Sequence, residues 1–417
     1  RFFHHIYSMK LTEPFIFDAL RTPRGFGRAP RNDKLGGSIA SCAPHELVVG
    51  LTEGLEKRNP GLLDNVSSLI LGCVGQVETQ GGHLALVCRL ASNIPNHTPV
   101  KTLNNYCVSG LTAVNDAATA VQAGKEGLII AGGVESLSSV QFLGDKASYY
   151  KDPKLRAALD WAPPIMGAEL IATIEGYSKQ DLDEVTLESH RKAELAWQNG
   201  FYQNNVMPVT DNFGKVLLDR DELIRGNLTA EKLKDIPPAF SEQGKAGFDK
   251  MMLAHHPELG AIQHVHSIAN CPGMADGAAL TVIGTKAAGA KVGLNPKARI
   301  IATAETAGDP ILQLDAGFDA IELLQRQTGF VIHDFDRIEF MEAFAAPLVK
   351  FFRTYNPDAS KVNTNGGHIA MGHPMGATGA ILLTTLVHEL ERSDNTLGLV
   401  VAQAAGGIGS AMIIERL

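Results

Sequence analysis

Residues Asn104-Asn105-Tyr106-Cys107-Val108-Ser109-Gly110 set a cysteine where a polar, extended approach turns into a helix of small residues running through Leu111, Ala113, Ala117 and Val121. Free N–H groups and partial positive charge at a helix N-terminus favour thiolate over thiol. A thiolate there is a candidate nucleophile for acyl transfer. An isolated cysteine is more often a small buried residue, so the reading depends on what accompanies it. In the last third of the chain, Gly366-Gly367-His368-Ile369-Ala370-Met371-Gly372-His373-Pro374-Met375-Gly376 opens a second small-residue helix, expected over residues 377–390. Each helix leads to an apolar run (residues 127–131 and 397–402) and then a glycine pair, Gly132-Gly133 and Gly406-Gly407. Such runs are typical of strands buried on both faces. Cys107 and His373 therefore hold comparable places in two pseudo-equivalent units.

Outward from these two points the chain alternates strand and helix. Strands are expected at 15–20, 66–71, 279–283 and 298–303, and helices at 45–58 and 316–328. Residues 337–344 pass from strand into helix. This alternation indicates an α/β fold. From 139 to 263 the character changes to aromatic, charged and proline-containing loops around one amphipathic helix, 179–197, which reads as an insertion. The expected organisation is an N-terminal half (9–138 and 264–290), an inserted loop domain (139–263) and a C-terminal half (291–417). Residues 1–8 precede Met9, a plausible native start, and read as an N-terminal extension or vector remnant.

Forty-five per cent of the 417 residues are apolar and 20% charged, which suits a large core. The net charge of −8 argues against general nucleic-acid binding, which rests on clustered Lys and Arg. It leaves room for an anionic small ligand, for which only the local field matters. No apolar run reaches the ~18 residues of a membrane span. Five cysteines with no CxxC pair suggest a reducing, cytoplasmic setting and no cysteine-ligated metal.

Cys107 and His373 together supply what acyl transfer needs: the imidazole takes the thiol proton, and the ion pair would hold a thiolate near neutral pH. Pro374 suits the first turn of a helix. A single histidine among 14 is ordinarily a capping or core residue, and here the surrounding words decide. Asn-Tyr-Cys107-Val-Ser-Gly, Gly132-Gly-Val-Glu-Ser-Leu-Ser, Glu342-Ala-Phe-Ala and Gly366-Gly-His-Ile-Ala-Met-Gly-His373-Pro-Met-Gly-Ala-Thr-Gly resemble the thiolase family, in that order, over nearly the whole chain.

The resemblance implies a five-layered αβαβα fold of two halves with an inserted loop domain that contributes much of the coenzyme A site. It implies ping-pong chemistry on acetyl-CoA or a 3-ketoacyl-CoA, by thiolysis or Claisen condensation, through an acyl group on Cys107. His373 would activate the cysteine and help bind a thioester oxygen. Backbone N–H groups at Cys107 and near Ala405 would form an oxyanion hole. Acyl-CoA and coenzyme A enter as substrates, with no permanently bound cofactor and no metal, and the family suggests a homodimer or homotetramer.

The sequence also departs from the family. Gln403 stands where thiolases carry a second, acid–base cysteine, and a carboxamide exchanges no proton near neutral pH. Met341 replaces the usual Asn or His before Glu-Ala-Phe, which holds a water on the substrate carbonyl. Pro272, beside Gly273, replaces a serine near the pantetheine arm, and His368 occupies a position that is commonly small. His264 and His266 lie near that segment but alternate along a strand, as structural histidines do. Arg191 and Lys192 on the inserted helix are weaker candidates for the phosphates of coenzyme A. Glu135 and Glu342 read as structural hydrogen-bonders. The departures leave two alternatives open: an acyltransferase or thioesterase without C–C chemistry, and an impaired acyl-CoA-binding subunit.

Overall fold

The computed structural model describes residues 11–32 and 36–417, so the expected extension at 1–8 lies outside the described residues. Ten strands form one hydrogen-bonded sheet path: Arg337–Phe340, Leu397–Ala404, Ile408–Arg416, Ala298–Ala307, Phe15–Arg21, Ala275–Gly284, Leu128–Ser136, Val66–Gly72 and Val100–Leu103, with Gly25–Phe26 beside Ala275–Gly284. Its two halves meet only where Phe15 and Ile16 pair with Arg299 and Ala298. Each half repeats one pattern. Leu128–Ser136 runs parallel to Val66–Gly72 and antiparallel to Ala275–Gly284. Leu397–Ala404 runs parallel to Arg337–Phe340 and antiparallel to Ile408–Arg416. The correspondence inferred from the two glycine pairs is thus a correspondence of strand order.

Helices Ser109–Gln122 and Thr378–Arg392 form the central layer, each touching strands of both halves. Pro44–Arg58 and Leu84–Ala91 cover the outer face of the first half, and Ala316–Thr328 that of the second. The layer order is αβαβα. Small residues are required where the central helices cross. A Cβ on Gly110 would stand 2.8 Å from the Gly376 carbonyl oxygen, and one on Gly379 would stand 2.6 Å from Leu111 Cβ and 2.7 Å from its backbone nitrogen. Backbone cannot move aside as a flexible side chain can. Gly379→Ala should therefore destabilise the protein by about 1–3 kcal/mol, read as a lowered midpoint in thermal or urea unfolding.

The segment between the halves is tied to the second. Its long helix, Lys179–Gln198, packs on Ala345–Tyr355 and on the short helix His368–Met371. Three strands of this sheet, Gly25–Phe26, Val100–Leu103 and Ile408–Arg416, were not among those expected from the sequence. The helix after His373 also begins later than expected, at Thr378. Pro374 is therefore not in its first turn but precedes a separate 3₁₀ turn, Met375–Ala377.

Candidate active site

The loop that presents Cys107 is held by its own polar residues. Tyr106 sits at φ +48°, a left-handed conformation costly for a tyrosine. Asn104 Oδ1 accepts the Tyr106 N–H (2.9 Å), and Ser109 Oγ donates to the Tyr106 carbonyl (2.5 Å). The Asn105 N–H in turn donates to Ser109 Oγ (2.8 Å). Asn104, Asn105 and Ser109 thereby fix the turn that aims Cys107, two residues before the helix starts.

The second helix head comes to the same place through a buried carboxylate. Glu135 accepts N–H bonds from Val74 (2.9 Å) and Gly75 (3.0 Å) of the first half and Gly376 (3.0 Å) of the second, plus Gln80 Nε2 (2.8 Å). Glu342 does matching work beneath the histidine loop, accepting from Ser189 Oγ (2.6 Å), Asn363 Nδ2 (2.9 Å) and the Ile369 N–H (3.1 Å). Both act as structural hydrogen-bonders.

Cys107, Met375 and Ala405 open on one cleft of about 740 Å³. Ala405 precedes two glycines with positive φ, and the turn is pinned by Gly407 N–H to the Gln313 carbonyl (3.1 Å) and Gly308 N–H to the Gly407 carbonyl (2.7 Å). His373 is buried, its backbone N–H donating to the Gly273 carbonyl (2.8 Å), so Pro272 and Gly273 lie against the histidine loop. His373 Nδ1 lies 2.7 Å from Thr378 Oγ1, which fixes the ring's orientation. Thr378 was not singled out in the sequence, although it stands within the Gly-Ala-Thr-Gly that follows His373.

Electrostatics correct one expectation. Burial, with the Glu135 carboxylate adding to it, pushes the Cys107 thiol up to about 12. Burial and the nearby Arg24 guanidinium push His373 down to about 3. Desolvation outweighs the helix N-terminus, so the resting pair is a neutral thiol and a neutral imidazole rather than an ion pair. Alkylation of Cys107 by iodoacetamide should accordingly be slow at pH 7 and climb about tenfold per pH unit through pH 9 without a plateau. A fast, pH-independent rate would indicate a standing thiolate.

Arg24 belongs to a buried cluster that the sequence did not flag. Arg21 grips Asp221 with two bonds of 2.8 Å, and the Arg24 N–H also donates to Asp221 (2.8 Å). The Arg24 guanidinium reaches the Gly372 carbonyl (3.1 Å) and Met371 Sδ (3.4 Å), under the turn that carries His373. Burial opposes ionisation of Asp221, but the two arginines outweigh it and hold its carboxyl at about 2.

The remaining candidates divide. His368 is buried with both ring nitrogens unpartnered, edge-on to His373 at 5.9 Å between centroids. Met341 is buried, with Sδ 3.4 Å from the Gln403 N–H. Gln403 is buried too, and both of its amide atoms lack a partner; its Oε1 lies against Gly317. Arg191 and Lys192 are engaged locally. Arg191 pairs with Glu188 at the surface, and Lys192 Nζ donates to the Ala359 and Val362 carbonyls (2.9 Å each). Neither lines the cleft. His266 is fully buried against Glu169 (2.9 Å), and His264 faces Asp249 (3.1 Å), so both serve packing.

A half-buried thiol before one helix head, a buried imidazole beneath the other and a backbone turn on the cleft that the thiol lines are the parts of an acyltransferase site on a duplicated α/β architecture. Residues 16–247 match the N-terminal domain of thiolase and residues 294–416 its C-terminal domain. The chain belongs to the thiolase family. It is 32% identical to the β-ketoadipyl-CoA thiolase of Pseudomonas putida, over 98% of this chain and 100% of that protein. It is 31% identical to the 3-ketoacyl-CoA thiolase of Photorhabdus laumondii, over 96% and 98%. Among solved structures, human mitochondrial 3-ketoacyl-CoA thiolase superposes with a TM-score of 0.83 at 27% identity, covering 98% of this chain and 99% of that one.

Proposed function

We propose that this thiolase-type acyltransferase works through an acyl group carried on Cys107, with 3-ketoacyl-CoA and coenzyme A as substrates. The observation that supports this is the shared cleft, to which the first half contributes Cys107 and the second half Met375 and Ala405. His373 takes the thiol proton as Sγ attacks the 3-keto carbon. The Sγ–C3 bond forms and the C2–C3 bond breaks, leaving its electron pair on C2 of an acetyl-CoA enolate, which must then be protonated. Coenzyme A next attacks the acyl thioester, releasing the shortened acyl-CoA and the free cysteine. Starting from neutral partners suits this cycle, because charge develops only as the bond forms, next to backbone donors at Cys107 and Ala405. Run in reverse, the same steps condense two acyl units.

Incubation with acetoacetyl-CoA and coenzyme A, followed by intact mass and by loss of the 3-ketoacyl thioester, tests the reading. An acyl adduct on Cys107 together with thiolysis is expected; neither adduct nor thiolysis would overturn it. All five cysteines are free, in keeping with a reducing, cytoplasmic setting. The half-exposed end strand Val100–Leu103 is paired on one side only, which favours association of two copies along that edge. No helix of the described residues is long and apolar enough to cross a membrane.

A further inference from the structure

We propose that the cleft at Cys107 accepts an uncharged, apolar acyl chain and turns away acyl groups that end in a carboxylate. This rests on the reading of Cys107 as acyl carrier and adds the class of acyl group. The cleft wall is aromatic: Tyr149 and Tyr150 are 6.5 Å apart between centroids, Tyr150 and Trp161 5.8 Å, and Phe142 and Pro310 extend the surface. Its acidic side chains are the carboxylates Asp145 and Asp160, and no Lys, Arg or His is among the described residues lining it. Asp145 Oδ1 is buried without a hydrogen-bond partner. Asp160 Oδ2 lies 3.0 Å from His255 Nε2, which stands behind it and does not line the cleft.

Two consequences follow from this lining. The phosphates of coenzyme A find no counter-charge here, so an uncharged part of the substrate fits, and the reading of Cys107 as acyl carrier makes it the acyl end. A carboxylate at the tip of that acyl group would exchange water for aromatic faces and meet the Asp145 carboxylate, one oxygen of which is buried without a partner. An alkyl tip of the same length loses nothing comparable and gains by leaving water.

3-Ketohexanoyl-CoA and 3-ketoadipyl-CoA have the same acyl carbon count and differ only in a terminal methyl against a carboxylate. Thiolysis of the first should exceed that of the second by about 10²-fold in kcat/KM. A ratio within about threefold, or a preference for 3-ketoadipyl-CoA, overturns the proposal while leaving the acyl-carrier reading intact. Asp145→Arg should narrow the ratio at least about tenfold, a readout unaffected by any uniform loss of activity. An unchanged ratio removes Asp145 from the explanation and counts against the proposal. Binding separates the two ideas if turnover is absent. Cys107→Ala protein should bind hexanoyl-CoA at least about tenfold more tightly than adipyl-CoA by calorimetry. That outcome without thiolysis by the wild type would sink the catalytic reading and keep the charge selection; equal affinities would sink the selection.

Discussion

Cys107→Ala is expected to abolish the acyl adduct and to lower acetoacetyl-CoA thiolysis by at least about 10⁴-fold, with the unfolding midpoint little changed. The effect should be this large because no other cysteine among the described residues lines the cleft. Cys73 is fully buried and lies 3.7 Å from Glu135. Cys271 donates to the Ser267 carbonyl (3.5 Å). Cys107→Ser separates geometry from chemistry. It keeps a side chain of similar shape on the Tyr106 turn but offers a far less acidic hydroxyl, so it should match the alanine variant in thiolysis. Intact mass after exposure to acetoacetyl-CoA is the readout, and an adduct persisting on either variant would place the acyl carrier elsewhere.

The neutral state of the pair gives this expectation its physical content. A nucleophile held as a thiol depends on its base at the moment of attack, and the base must itself be unprotonated. Arg24 contributes to the second condition, because a fixed cation beside an imidazole disfavours imidazolium. The Asp221 carboxylate lets Arg21 and Arg24 be buried together, and the Arg24 contact with the Gly372 carbonyl places that charge one residue from His373. Thr378 then fixes the ring. His373, the proposed base, is thus kept neutral and oriented by Arg24, by Asp221 through the arginines and by Thr378.

What could be read from the sequence was whatever repeats locally. The small residues after Cys107 and before residue 390, the apolar runs and the glycine pairs all report close packing of two layers, and the structure uses them so at Gly110 and Gly379. The Ala316–Thr328 helix has the bounds expected from its apolar spacing. Strand Ile408–Arg416 was not expected, because Ile-Gly-Ser-Ala-Met-Ile-Ile-Glu-Arg opens on small residues directly after a glycine pair and carries no strict two-residue period. Its identity comes from pairing with Leu397–Ala404 and Ala298–Ala307. The ionisation of Cys107 was misjudged for a related reason. A helix N-terminus is visible in the sequence, whereas desolvation depends on how many distant residues close over the thiol. The Arg21–Asp221–Arg24 cluster joins residues 200 apart, and no spacing rule would bring them together. The cationic end of Lys192 is legible in the sequence, whereas the Ala359 and Val362 carbonyls to which it donates are not.

Gln403→Cys is expected to raise thiolysis of acetoacetyl-CoA by about 10²-fold or more while leaving acetyl exchange between acetyl-CoA and coenzyme A within about threefold. The two reactions share the acyl-Cys107 state, but only thiolysis of a 3-ketoacyl-CoA breaks a C–C bond and so requires a proton at C2. A carboxamide cannot deliver one near neutral pH, whereas a buried thiol stays protonated and carries a proton to give. Gln403 does not itself line the cleft but stands two residues before Ala405, which does, and its amide makes no hydrogen bond that a cysteine would forfeit. The substitution removes two unsatisfied buried polar groups, each worth about 1–3 kcal/mol, which offsets the volume left behind, so the unfolding midpoint should not fall. Parallel rates of thiolysis and exchange for wild type and variant separate the cases. If thiolysis fails to rise while exchange stays constant, the missing proton donor is not what limits C–C cleavage. The unpartnered imidazole of His368, edge-on to His373, then becomes the group to replace next.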